Sequence, residues 1–163
     1  MIFILFISFV LLLRTGELLL SKKNGEWLIK NGATEYGKQH YKFIVLLHLL
    51  FFCSLIFEYA VQNRDSYSLF LLNIYFILLS LKIWVVLSLG RFWNTRIYRI
   101  PYIPLIEKGP YKYFKHPNYI VVIGEIMVIP LAFHLYYTAI IFTLLNAILL
   151  SVRIKEENKA LKI

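Results

Sequence analysis

The sequence predicts an all-α integral membrane protein of about five transmembrane helices, and three observations predict it. First, 60% of the 163 residues are hydrophobic, against roughly 45–50% in soluble globular domains. Second, the excess is gathered into five apolar runs separated by charged segments. Only helices or closed barrels satisfy their backbone inside lipid, and the strict alternation of a barrel strand is absent. Third, Lys and Arg concentrate in alternate loops, as they do when a chain has one fixed orientation across a membrane.

Met1 to Leu20 is the first apolar run, and its ~20 residues match a hydrocarbon core of ~30 Å. It lacks the positive n-region and the small-residue cleavage site of a signal peptide, so a retained helix is expected. Arg14 and Glu17 lie three apart and share a helix face, where they can pair. Ser21 to Tyr41 reads as a polar loop punctuated by Gly25, Gly32 and Gly37, with a short interfacial helix around Trp27, Leu28 and Ile29. Lys42 to Val61 is the second span and contains His48 and Glu58. Gln62 to Ser68 is a short loop whose only charges, Arg64 and Asp65, cancel.

Leu69 to Leu89 is the third span, with Asn73 and Lys82 inside it. Gly90 to Asn118 is the longest polar segment, and it sets Arg91, Arg96, Arg99, Lys108, Lys112 and Lys115 against Glu107 alone. Tyr119 to Phe133 is a short fourth span marked by Pro130. His134 to Tyr137 is a tight connection, and Thr138 to Val152 is the fifth span. The tail then carries Arg153, Lys155, Lys159 and Lys162.

Five spans put the loop at 21–41, the loop at 90–118 and the tail on one side. These segments hold nearly every Lys and Arg outside the spans, so the N-terminus is expected outside and the C-terminus in the cytoplasm. The net charge of +9 first suggests nucleic acid or an anionic surface. Topology accounts for it instead, no groove-reading element is apparent, and no nucleic-acid partner is expected. Cys53 is the only cysteine, which excludes an internal disulfide or a cysteine metal site, and no metal is expected.

Ionisable groups inside spans are costly and usually face a partner or a cavity. Arg14, His48, Lys82, Glu125 and Asn146 each lie about six or seven residues from the cytoplasmic end of their span, roughly 9–10 Å below that face. Snorkelling and internal pairing explain each residue singly. Their shared depth points to a wet cavity opening to the cytoplasm.

The stretch Gly109-Pro110-Tyr111-Lys112-Tyr113-Phe114-Lys115-His116-Pro117-Asn118-Tyr119 is polar, basic and aromatic between apolar runs. Gly109 and Pro110 make a turn. Pro117 suits the first position of a helix, so the fourth helix is expected to start at His116-Pro117 with free N–H groups at the cytoplasmic edge. Such an end can hold a carboxylate, and the aromatic rings offer faces for a cation or purine. Read residue by residue, an aromatic belt beside a helix cap is the competing explanation.

Together with Arg153, Glu156 and Glu157, this stretch resembles the C-terminal half of isoprenylcysteine carboxyl methyltransferases and their bacterial relatives. The family pattern is a Tyr, then Arg-His-Pro, then Tyr, and later an Arg followed by a Glu pair. Lys115 stands where Arg is commonest. The match runs from Tyr111 to Glu157. The short chain, Arg14 and Glu17, and the Lys-Lys-Asn-Gly-Glu-Trp segment are similar to the short bacterial branch that O-methylates alkylpyrones.

The resemblance implies an integral-membrane enzyme that uses S-adenosyl-L-methionine. It implies a cofactor site of Tyr111, Lys115, His116, Pro117, Tyr119, Arg153, Glu156 and Glu157 on a C-terminal helical hairpin. Residues 1–163 then form one domain, with three N-terminal spans in 1–89 and the cofactor-binding loop, hairpin and tail in 90–163. Methyl transfer from a sulfonium needs alignment more than a strong catalyst. Glu125, Arg14 and His48 are the catalytic candidates, with Glu125 as a base for a neutral hydroxyl. The expected acceptor is a lipophilic small molecule drawn from the bilayer, an alkylpyrone-type polyketide first. An isoprenylcysteine carboxylate or a phospholipid amine is the alternative. A non-enzymatic transporter or scaffold is a third reading, although paired internal halves are not visible. No Gly-x-Gly occurs, which argues against a soluble dinucleotide-type methyltransferase fold.

Overall fold

A computed structural model of the chain describes residues 1–63 and 65–161. The expected cancelling charge at Arg64 and the tail charge at Lys162 lie outside the described residues. Five helices follow one another: α1 (Ile2–Lys30), α2 (Lys38–Gln62), α3 (Leu69–Leu89), α4 (Pro117–Ala132) and α5 (Tyr136–Leu161). Four of them, α1, α2, α3 and α5, are long and apolar enough to cross a membrane. The fourth, α4, has 16 residues, about 24 Å at ~1.5 Å per residue.

The shortness of α4 goes with its position. It packs between α3 and α5, and nine of its residues are buried against four of α3's. One face packs on these neighbours, while Ile120, Ile123 and Met127 stay exposed on the other. Gly124 makes the α3 contact close, because a Cβ there would sit 2.8 Å from Leu78. The core lies toward the sparsely charged end, where Phe3, Phe6, Ile7 and Val10 of α1 join Phe51, Tyr75, Ile129 and Phe133. Phe3 stacks on Tyr59 with ring centroids 3.8 Å apart.

Three boundaries differ from the sequence expectation, each for a local reason. The segment after Leu20 is not a loop: α1 continues to Lys30. Lys, Glu and Trp sustain a helix there, and its polar residues find partners. Ser21 Oγ lies 2.9 Å from Asn94 Oδ1, and Asn24 Nδ2 donates to the Trp93 carbonyl at 2.7 Å. Trp27 is therefore the end of α1, packed edge-on to Phe92, and not a separate interfacial helix. At the other end of the chain, α5 runs unbroken through Arg153 and the Glu pair to Leu161, so these residues have helical spacing.

The third difference is a two-stranded antiparallel ribbon within the otherwise helical fold. Strand β1 (Thr34–Tyr36) pairs with β2 (Ile97–Arg99) in the register Thr34↔Arg99, Glu35↔Tyr98 and Tyr36↔Ile97. It ties the α1–α2 connection to the basic α3–α4 connection, helped by Arg96 Nη1 on Glu35 Oε1 at 3.1 Å. Three-residue strands leave too short a pattern to read in advance. The start of α4 is as expected, with Pro117 as its first residue.

Candidate active site

The mid-helix polar residues converge. Arg14 Nη1 lies 2.8 Å from Glu17 Oε2, and Arg14 Nη2 lies 2.7 Å from Glu125 Oε2. Lys82 Nζ closes the ring, at 2.8 Å from Glu17 Oε1 and 2.9 Å from Glu125 Oε2. Two cations and two carboxylates therefore form a charge-balanced tetrad from α1, α3 and α4. Burial makes each partner indispensable to the others, because removing one leaves an uncompensated charge.

A cavity of about 320 Å³ lies beside this tetrad, within the usual range for small-molecule sites. Arg14, Glu17, His48, Lys82 and Asn146 line it toward the middle of the bundle. Asn118, Tyr119, Thr95 and Arg153 line it toward the basic end. Glu125 is buried to 2% exposure behind its two cations and does not line it. Leu11 and Leu18 of α1 and Val45 and Leu49 of α2 line the cavity and are also exposed on the outer surface. The cavity thus opens sideways between α1 and α2.

The motif residues form a second cluster where α4 begins and α5 nears its end. Tyr119 donates its hydroxyl proton to the Glu157 carboxylate. Arg153 Nε donates to the Tyr119 hydroxyl at 2.8 Å, and its Nη2 donates to the Thr95 carbonyl at 2.6 Å. The Arg153 guanidinium also lies 5.5 Å from the centre of the Tyr119 ring. His116 occupies the N-cap position of α4 without capping it through its side chain. Its Nδ1 is 3.4 Å from Glu157 Oε2 and its Nε2 is 3.2 Å from Asn158 Oδ1. With an acceptor at each nitrogen, the doubly protonated ring is favoured. The hydrogen bond to Glu157 holds the His116 pKa above its ordinary value, against the opposing effect of burial.

The other expected cofactor residues are placed less centrally. Burial, with Glu157 nearby, pushes the Tyr111 hydroxyl pKa up. Pro117 is buried as the first residue of α4, and Lys115 is exposed. Glu156 points away from Glu157, toward Lys159 at 2.7 Å and a separate surface cleft shared with His40. A small cleft containing Arg153, Glu156 and His40 links that surface to the cluster. His40 Nδ1 is buried there without a hydrogen-bond partner among the described residues.

Sequence reasoning did not name Tyr41, Thr95 or Asn158 as site residues. Thr95 and Tyr41 come from loop and helix edges with no motif. Asn158 follows the Glu pair directly, and helical continuation of α5 was the signal that would have brought it in.

Fold and site together define a helical membrane protein whose largely apolar cavity, edged by charged and polar side chains, opens between two of its helices and reaches its basic end. Residues 70–163 match the model described as the isoprenylcysteine carboxyl methyltransferase (ICMT) family, and the chain belongs to that family. That membership makes it a membrane methyltransferase in broad class. The chain is 44% identical over 163 residues to "Uncharacterized protein YpbQ" of Bacillus subtilis (strain 168), covering 98% of this chain and 96% of the relative. It is 30% identical over 155 residues to an "Uncharacterized protein" of Haemophilus influenzae (strain ATCC 51907 / DSM 11121 / KW20 / Rd), covering 93% and 90%. No solved structure matches.

Proposed function

We propose that the protein is an S-adenosylmethionine-dependent O-methyltransferase that modifies a lipophilic small molecule, an alkylpyrone-type polyketide in the first instance. The observation that carries this reading is the shared cavity. The motif residues Tyr119 and Arg153 and the mid-membrane residues Arg14, His48, Lys82 and Asn146 line the same space. Residues 1–163 act as one domain, in which 1–89 supply most of the acceptor side and 90–163 the cofactor side. The N-terminus lies outside, and the basic end faces the cytoplasm.

The donor set suits the methyl donor. An amino-acid end is zwitterionic, and Arg153 beside Glu157 offers one partner of each sign. His40 Nδ1, without a partner among the described residues, adds a polar atom ready for a ligand at the same end. Tyr119 and Tyr111 supply aromatic faces beside them. When bound, the donor supplies a methyl carbon on a sulfonium sulfur, so that the oxygen–carbon bond forms as the carbon–sulfur electron pair returns to sulfur. The protein's part is to hold the two molecules in line and keep water from the reacting atoms.

Incubating purified protein with methyl-labelled S-adenosylmethionine and an alkylpyrone tests the acceptor. Label in the pyrone methyl ether is expected. Label on a prenylcysteine analogue and not on the pyrone would move the acceptor to a carboxylate.

A further inference from the structure

The tetrad leaves the cavity without a free carboxylate base. Glu125 receives both Arg14 and Lys82 on one oxygen and does not line the cavity. Glu17 lines it, but one oxygen is taken by Arg14 and the other by Lys82. His48 is differently placed. Its Nδ1 lies 2.8 Å from the Ile44 carbonyl oxygen, one helical turn back on α2. A carbonyl only accepts, so Nδ1 carries the proton and Nε2 carries the lone pair. Nε2 makes no hydrogen bond among the described residues, and the ring lines the cavity.

The lone pair sets the chemistry of the acceptor. Nε2 repels the lone pairs of a carboxylate oxygen and attracts an O–H, and a hydroxyl has the proton that Nε2 can accept.

We infer that His48 Nε2 takes the proton of the acceptor oxygen, and that the acceptor is a neutral phenol or enol on an apolar tail, not a carboxylate. This rests on the methyltransferase reading above and narrows its substrate class. The O–H bond breaks, its electron pair stays on the oxygen that will carry the methyl group, and the proton passes to Nε2. The imidazolium gives that proton to water after the product leaves.

The first arm of the test needs no cofactor. Protein labelled with nitrogen-15 histidine is placed in lipid nanodiscs, and the His48 resonances are assigned among His40, His48, His116 and His134 with H48Q. The free protein is expected to show the Nδ1–H tautomer. Nonylphenol is expected to shift the Nε2 resonance, and nonanoate is not. H48A should weaken nonylphenol binding about tenfold, as loss of one hydrogen bond would, and leave nonanoate unchanged. H48Q retains an acceptor oxygen but cannot carry the proton. It should keep phenol binding, yet lose phenol methylation by roughly a hundredfold or more when the cofactor is added.

An Nε2–H tautomer overturns the inference. So does an Nε2 resonance that ignores nonylphenol in protein that still binds S-adenosylhomocysteine. Failure of S-adenosylhomocysteine itself to bind condemns the methyltransferase reading instead, and leaves the tautomer result standing.

Discussion

The two polar clusters of this molecule are built on opposite principles. The tetrad is closed: each of Arg14, Glu17, Lys82 and Glu125 is held by two partners, and the charges sum to zero. The Tyr119–Arg153–Glu157 cluster is open: it reaches the basic end and shares Arg153 with a neighbouring cleft. Closed networks of buried charge give fixed geometry and break badly. Open ones leave donors and acceptors for a ligand. Substitutions in the first cluster should therefore act on folding, and those in the second on binding.

The largest effect is expected at Glu125. E125L leaves Arg14 and Lys82 without one of their counter-charges, a loss of about 3–5 kcal/mol for a broken buried pair. Thermal unfolding in detergent should show it, and a double variant with K82M should recover part of the loss. Equal stability of E125L and wild type would mean that the tetrad does not hold the helices together.

Next comes Glu157 against Glu156. E157A removes the acceptor of Tyr119 and the partner of His116, and should weaken S-adenosylhomocysteine binding by roughly a hundredfold, as expected for charged hydrogen bonds. E156A, which faces Lys159, should change it several-fold at most. The reverse order would place the cofactor in the surface cleft beside His40.

A packing control follows. G124V forces side-chain bulk against Leu78 at the α3–α4 contact, and overpacking of this kind costs about 1–3 kcal/mol. Stability should fall by that amount, with binding intact in the protein that remains folded.

The smallest effect is a pH dependence. The folded His116 pKa is raised above 6.5 by Glu157. Its contribution is therefore fully present below the unfolded value and is lost as pH rises through the folded one. Wild-type stability should decline across that interval, and H116Q should flatten the slope.

The same contrast explains what was legible in the sequence. The motif cluster was readable through the resemblance its two stretches carry to a known family; residue by residue, an aromatic belt beside a helix cap explained it as well. Pro117 announced the start of α4 through a fixed φ and a missing N–H. The tetrad was readable in two pieces: Arg14 and Glu17 by their three-residue spacing, and Arg14, Lys82 and Glu125 by standing at one level of three separate spans. Which of them faces the cavity was not readable, because burial of Glu125 behind its cations depends on how α1, α3 and α4 are rotated. The extension of α1 past Leu20 was hidden because Ser21 and Asn24 look like loop residues until Trp93 and Asn94 arrive to bond them. The ribbon was hidden for the same reason, since neither strand has meaning without the other.

The most direct test of the account is calorimetric titration of S-adenosylhomocysteine into detergent-purified protein, beside R153A. Micromolar binding by the wild type, weakened at least about a hundredfold by R153A, is the predicted result, since Arg153 would supply the charge-assisted contact. Undiminished binding in a folded R153A protein would contradict the placement of the cofactor at the Tyr119–Arg153–Glu157 cluster, and no binding by folded wild-type protein would contradict the methyltransferase reading itself.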